Sequence, residues 1–235
     1  MKRIAISQSN YIPWKGYFDL INTVDEFVLY DDMQFTRRDW RNRNQIKTPA
    51  GLQWLTIPVE VKGKFHQRIN ETKVSDPGWS RHHWRTLELT YARARHFDAY
   101  RDQVRELYLG VTSSGLSEIN HRFLQAICGW LGIGTPLRWS SDYELEGERS
   151  ERLLNICRQA GANVYHSGPA ARDYLDTARF AAAGVEVVWM DYSGYPTYGQ
   201  LHGDFQHGVS ILDLLFNEGP DAPKYMKSFP QSLPR

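Results

Sequence analysis

Between Tyr30 and Asn44 the chain reads YDDMQFTRRDWRNRN, which places two adjacent carboxylates, four arginines and a tryptophan within fifteen residues. Asp31 and Asp32 suit general base chemistry, because one carboxyl raised by its neighbour takes up a proton near neutral pH while the other stays charged. Arg37, Arg38, Arg41 and Arg43 carry planar guanidinium forks that match phosphate or carboxylate oxygens. The segment therefore suits an anionic ligand, with Asn42 and Asn44 available to orient it. The plainer alternative is a solvated loop whose acids and arginines pair with one another, although such pairs add little stability.

Two further segments hold groups of the same kind. In QSNYIPWKGYF, from Gln8 to Phe18, Lys15 and Gly16 stand where a helix begins, and a helix amino terminus offers free N–H groups and positive potential to an anion. Gly16 permits close backbone approach, Gln8 and Asn10 supply amide hydrogen bonds, and Tyr11 or Trp14 offers a ring for stacking. An ordinary loop with Trp14 packed in the core explains the same residues. In YHSGPAARDY, from Tyr165 to Tyr174, Ser167 is placed to cap a helix that Pro169 begins. Ser167, Arg172 and Asp173 are candidates for holding polar groups of a substrate, the last two because capping does not require them.

The frame for these loops opens as strand, helix, strand. Residues 3–7 form a short apolar strand, Tyr17, Leu20, Ile21 and Val24 recur at helical spacing, and a second strand follows at 26–30. That unit implies parallel strands with a right-handed crossover, so the loops after Gln8 and Asp31 open on one edge, where α/β sheets hold ligands. A strand at 53–59 follows the turn Pro49-Ala50-Gly51, and Pro58 marks an edge position or a bulge. From Pro77 to Ile133 the period is helical in three segments. Strands are expected near 136–140, 163–166 and 185–190, and helices at 150–160, 170–183 and 209–217. With no internal repeat or low-complexity linker, residues 1–235 read as a single three-layer α/β domain with a mostly parallel sheet and a helical insertion at 77–133.

Composition excludes several classes. A hydrophobic share of 41% and a charged share of 23% are those of a globular chain. The formal charge of +1 rules out a whole-molecule footprint for nucleic acid, while residues 37–47 form a local basic patch. Cys128 and Cys157 each sit in an apolar helical pattern, which suits buried free thiols in a reducing compartment. The opening MKRIAIS is too short in apolar residues for a signal peptide and no later run approaches a membrane span, so a cytoplasmic protein without membrane insertion is expected. The eight histidines show no ligand spacing, and no metal is expected. There is no Gly-x-Ser-x-Gly elbow, no phosphate loop and no Gly-x-Gly-x-x-Gly.

The chain resembles the WbqC-like protein family. The resemblance rests on QSNYIPWKGYFDLI (8–21), DEFVLYDDMQFTRRDWRNRN (25–44), WLTIPV (54–59), SERLLNICRQAGANVYHSGP (150–169), RDYLD (172–176) and SILDLLFNEG (210–219). The chain departs where members carry Gln-Pro, here Gln8-Ser9, and where they carry glycines and a lysine, here Ala170-Ala171-Arg172. The family resemblance implies bacterial O-antigen or surface-polysaccharide biosynthesis, with transfer of a glycyl group onto an amino sugar. A fainter likeness to nucleotidyltransferase-type domains lies in the opening, where Trp14 and Tyr17 stand in place of the two histidines of Pro-x-His-x-Gly-His.

Three functions follow as expectations. The first is an aminoacyl or acyl transferase on a nucleotide-linked amino sugar. Asp31 or Asp32 is its base, and Arg38, Arg41 and Arg43 hold phosphates. No cofactor is certain; ATP or an activated aminoacyl donor is the open requirement, and charged tRNA or another carrier is the partner that would bring it. The second is an accessory protein that binds the sugar nucleotide without turnover, and the third is an ATP-using nucleotidyltransferase that relies on Lys15. The oligomeric state is not set by the sequence.

Overall fold

The computed structural model describes residues 1–230. Five parallel strands form the sheet: β1 (Arg3–Ser7), β2 (Glu26–Leu29), β5 (Leu137–Trp139), β6 (Val164–Ser167) and β7 (Glu186–Trp189), in the order β5-β2-β1-β6-β7. The chain leaves β1 in one direction, reaches the edge at β5, and returns across β1 to lay down β6 and β7. The direction of winding thus reverses between β1 and β6, and a crevice opens outside the carboxyl ends there. Register aligns those ends, since Ser7 pairs with Leu29, Leu29 with Trp139, and Ser167 with Trp189.

Alternation along the strands feeds two cores. Ile4, Ile6, Val28, Tyr30 and Tyr165 point to one face and pack with α5 (Ser150–Gln159) and α6 (Thr177–Ala182). Ala5, Phe27 and Leu29 point to the other, against α1 (Lys15–Thr23) and a larger core that includes α2 (Trp79–Tyr91), α3 (Phe97–Leu109), α4 (Leu116–Leu131) and α7 (Ile211–Glu218). Both faces of the parallel sheet are covered at its centre, which explains why β1 and β2 read as apolar runs. The helical stretch expected at 77–133 is α2, α3 and α4, and it falls between β2 and β5. α4 stops at Gly132, whose φ of 73° turns the backbone out of the helix and returns its N–H to Cys128 and Gly129 carbonyls.

Two elements depart from expectation. Residues 53–59 do not join the main sheet: β4 (Gly51–Thr56) pairs with β3 (Arg43–Thr48) in a separate antiparallel hairpin, and Pro58 lies beyond its end. Its inner face, Ile46 and Leu55, is buried, whereas Leu52 and Trp54 are exposed. Ser167 caps no helix. It ends β6, Gly168 takes the cap position, and residues Pro169–Asp173 form a 3-10 turn rather than the start of a long helix.

Candidate functional site

At the carboxyl end of β1 the loop from Gln8 to Trp14 meets the end of β2. Asp31 is 1% exposed, and its two oxygens accept hydrogen bonds from Ser9 N, at 2.8 Å, and from Ser117 Oγ of α4. Burial pushes the Asp31 carboxyl above the ordinary carboxylate range, while the Ser117 and Ser9 hydrogen bonds and the Arg41 charge act in the opposite direction. Asn120, on the same face of α4, donates to Ser9 Oγ and to Arg41 O, both at 2.9 Å. Asp32 turns elsewhere: Ser140 Oγ donates to one oxygen, Asn70 Nδ2 donates to the other at 3.1 Å, and Arg68 lies 3.7 Å away. The two adjacent acids therefore occupy separate environments.

The four arginines divide in the same way. Arg41 folds over the end of β1, with Nη1 3.4 Å from Gln8 O and Nη2 3.6 Å from Asp39. Arg43 lies over the indole of Trp54 at 4.0 Å and donates to Arg38 O, while Arg37 donates to Val61 O at 2.8 Å. Asn42 and Asn44 hold the backbone. Asn42 donates to Ile57 O at 2.8 Å. Asn44 donates to the Tyr11 and Ile12 carbonyls at 3.2 and 3.0 Å, pinning a turn in which Ile12 adopts a φ of 37° that a β-branched residue rarely takes.

Beside this edge lies a cavity of about 570 Å³, lined by Asn10, Trp14, Trp40, Asn44, Tyr192, Tyr195 and His207. Trp14 meets Tyr192 and Tyr195 edge-on, with ring centroids 5.3 and 5.4 Å apart. The far wall belongs to residues 190–209, which contain no strand or helix. A stretch of that length without regular structure needs anchoring. Lys15 Nζ donates to Pro196 O at 2.7 Å beneath the rings of Tyr195, Tyr198 and Phe205. Tyr198 donates to the buried carboxylate of Asp213 at 2.8 Å, and Lys227 donates to the Asp191 and Ser193 carbonyls at 2.9 and 3.0 Å. Lys47 donates to Gly203 O at 3.0 Å. Lys15 is thus a clamp for the loop, and burial lowers its ammonium to about 8, with Asp19 acting against the shift.

The edge and the cavity share two loops. Ser9 serves Asp31 and Asn10 the cavity; Trp40 lines the cavity and Arg41 crosses the sheet end. Tyr11 is fully buried, bonded to His83 and Tyr108, so of the two aromatic residues in its loop Trp14 is the one that faces the cavity. Gly16 also stands at the start of α1, directly under the Trp14 indole. Ser167, Arg172 and Asp173 lie at the end of β6 on the same sheet edge, with Arg172 5.4 Å over the Trp189 ring, and none of them lines the cavity.

Sequence reading found the helix α4 but missed its polar side chains. Ser117, Asn120 and His121 sit at i, i+3 and i+4 on a helix otherwise rich in buried apolar residues, and that spacing alone marks a polar stripe facing inward. His121 stacks on Trp139, the last residue of β5, at 4.8 Å. Burial lowers its pKa while the charge of Asp31 opposes the shift. Missed too was the 190–209 loop, whose signal is its tyrosines and glycines between β7 and α7. Among the described residues no group of three or more His, Cys, Asp or Glu is arranged to hold a metal, and no helix is long and apolar enough to cross a membrane.

No solved structure matches the chain. Uncharacterized protein Rv1507c of Mycobacterium tuberculosis (strain ATCC 25618 / H37Rv) is 55% identical over 227 residues, covering 97% of this chain and 98% of that protein. The pattern of the WbqC-like protein family matches residues 8–225, a span that takes in the loop after β1, the paired aspartates, the hairpin, the polar stripe of α4 and the anchored aromatic loop. This chain belongs to the WbqC-like protein family.

Proposed function

We propose that this protein is a transferase of bacterial O-antigen or surface-polysaccharide biosynthesis that passes an acyl group, glycyl in type, onto the amine of a nucleotide-linked amino sugar. The observation that carries this reading is the aromatic cavity at the carboxyl edge of the sheet. Indole and phenol faces pack against the C–H face of a sugar ring, and Asn10 and His207 supply polar groups for its hydroxyls. Arg41, beside the same loop, is the group for phosphate oxygens. In the transfer step the sugar amine attacks the acyl carbonyl, its proton passes to a carboxylate, and the carrier leaves with the electron pair of the broken bond. Asp32, at the same sheet edge but not on the cavity lining, is the base in this reading, because Asp31 is enclosed by Ser9 and Ser117 and fixes the loop.

One observation favours a second reading, a binding protein without turnover: each oxygen of Asp31 and of Asp32 already accepts a hydrogen bond. The nucleotidyltransferase reading is the least supported, since Lys15, the cation it relies on, is turned to Pro196 O. The discriminating experiment incubates the protein with nucleotide-linked amino sugars and activated acyl donors and follows the mass of the sugar nucleotide. Acyl transfer lost in Asp32→Asn with binding retained supports the transferase; binding with no mass gain from any donor supports the second reading.

A further inference from the structure

The hairpin and its flanking loops concentrate positive charge. Residues 33–73 carry nine lysines and arginines against three carboxylates, a formal +6 in a chain whose total is +1. Arg41, Lys64 and Arg68 meet Asp39, Glu60 and Asp32, and Lys47 is turned inward to the 200–204 loop. Arg37, Arg38, Arg43 and Lys62 form no ion pair among the described residues. Arg37, Arg38 and Lys62 are exposed, and the Arg37 bond to Val61 O sets Arg37 next to Lys62.

Aromatic faces interleave with these cations. Trp40 is 42% exposed and Trp54 39%, whereas Trp79 and Trp84 of the helical core are 4% and 6%. The Trp40 and Trp54 ring centroids are 5.4 Å apart, Arg43 covers part of Trp54, and its bond to Arg38 O brings Arg38 alongside. Left to solvent, this face pairs exposed indoles with mutually repelling guanidinium groups. A partner that brings both flat rings and regularly spaced negative charge relieves both conditions, and only a polynucleotide supplies the two together in repeating units. Duplex hides the faces of its bases, so the rings require a single strand.

We infer that the outer face of the hairpin binds single-stranded polynucleotide, with bases stacked on Trp40 and Trp54 and phosphates held by Arg37, Arg38, Arg43 and Lys62. Trp40 belongs to this face and to the cavity wall, so a strand crossing the face ends at the cavity mouth. Resting on the transfer reading above, this identifies the donor class as an acyl group esterified to the end of an RNA strand. The sugar nitrogen bonds to the acyl carbon, the ester bond to the terminal ribose oxygen breaks, and that oxygen takes a proton as the amine loses one.

The test is fluorescence anisotropy with a labelled single-stranded RNA of about 12 nucleotides, a length within the site sizes of such surfaces. Wild-type protein binds, and affinity falls steeply between about 50 and 200 mM salt. Trp54→Ala weakens binding about tenfold, Trp54→Tyr restores it, and Arg38→Gln lowers the salt slope by about one. Heparin binding is unchanged in Trp54→Ala. Absence of RNA binding, or equal RNA binding by wild type and Trp54→Ala, overturns the proposal. Melting of the same preparations with a nucleotide-linked amino sugar separates the two claims. A sugar-dependent shift without RNA binding overturns the polynucleotide face alone; RNA binding that depends on Trp54, with no sugar-dependent shift, upholds the face and removes the transfer reading.

Discussion

The indole of Trp14 lies across Gly16: a Cβ at residue 16 would stand 2.3 Å from Trp14 Cζ2 and 2.5 Å from Cη2. The close approach that glycine permits at the start of α1 is therefore made by the chain's own ring, the ring that forms one wall of the cavity. Gly16→Ala must push Trp14 outward. We expect a net change in stability of no more than about 2 kcal/mol, because overpacking costs about 1–3 kcal/mol and alanine regains about 1 in a helix. Ligand affinity falls at least tenfold, which calorimetry on the folded variant reads directly.

A buried chain of hydrogen bonds fixes the neighbouring loop. Thr56 O can only accept, so His83 donates from Nε2 at 3.2 Å; Nδ1 then accepts from Tyr11 Oη at 2.8 Å, and Tyr11 accepts from Tyr108 at 2.7 Å. Tyr11→Phe leaves His83 Nδ1 unmatched and costs about 1–3 kcal/mol in urea denaturation. Burial lowers His83 from 6.5 to about 4, so between those values the unfolded chain binds more protons. Stability attributable to His83 is lost as pH falls from 6.5 toward 4, and His83→Gln flattens that part of the profile.

Lys15 gives a pH dependence at the other end. Its pKa in the fold is about 8 against an ordinary 10.5, so the unfolded chain holds the extra proton between these values and stability rises with pH across them. The difference in stability between wild type and Lys15→Met should grow in favour of wild type from pH 8 to 10.5, by an amount of order 3 kcal/mol. A flat difference across that window would show that Lys15 is solvated.

Asp31→Asn should leave the fold standing. The asparagine oxygen accepts from Ser9 N and its amide donates to Ser117 Oγ, which preserves both contacts of the carboxylate. Because burial raises the Asp31 carboxyl, the folded chain binds the extra proton above the ordinary range, and wild type loses stability relative to the variant as pH rises through that interval. Chemical denaturation of the pair from pH 4 upward measures the effect.

The central strands β1 and β2 were legible because both faces of the sheet are covered there and their inner residues are apolar, as Ile4-Ala5-Ile6 and Phe27-Val28-Leu29 show. The hairpin was not. Arg43–Thr48 reads RNQIKT, and its strand character comes from pairing with β4 and from burial of Asn44, Ile46, Lys47 and Thr48, of which only Ile46 is apolar, rather than from local pattern. Sequence placed the loops after β1 and β2 on one edge, as the register requires, yet could not distinguish Tyr11, wholly buried, from Trp14 at the cavity. Nor could it show that adjacent Asp31 and Asp32 face different partners, since that depends on Ser117 and Ser140, far along the chain.

The most direct test of the account is the melting temperature of the purified protein with nucleotide-linked amino sugars, on wild type and on the cavity variants Asn10→Ala and His207→Ala. A ligand at 100 times its dissociation constant stabilises the native state by about 2.7 kcal/mol. Such a shift is expected for at least one nucleotide-linked amino sugar, with its loss in both variants. No shift with any of them, or a shift of equal size in wild type and variants, would contradict it.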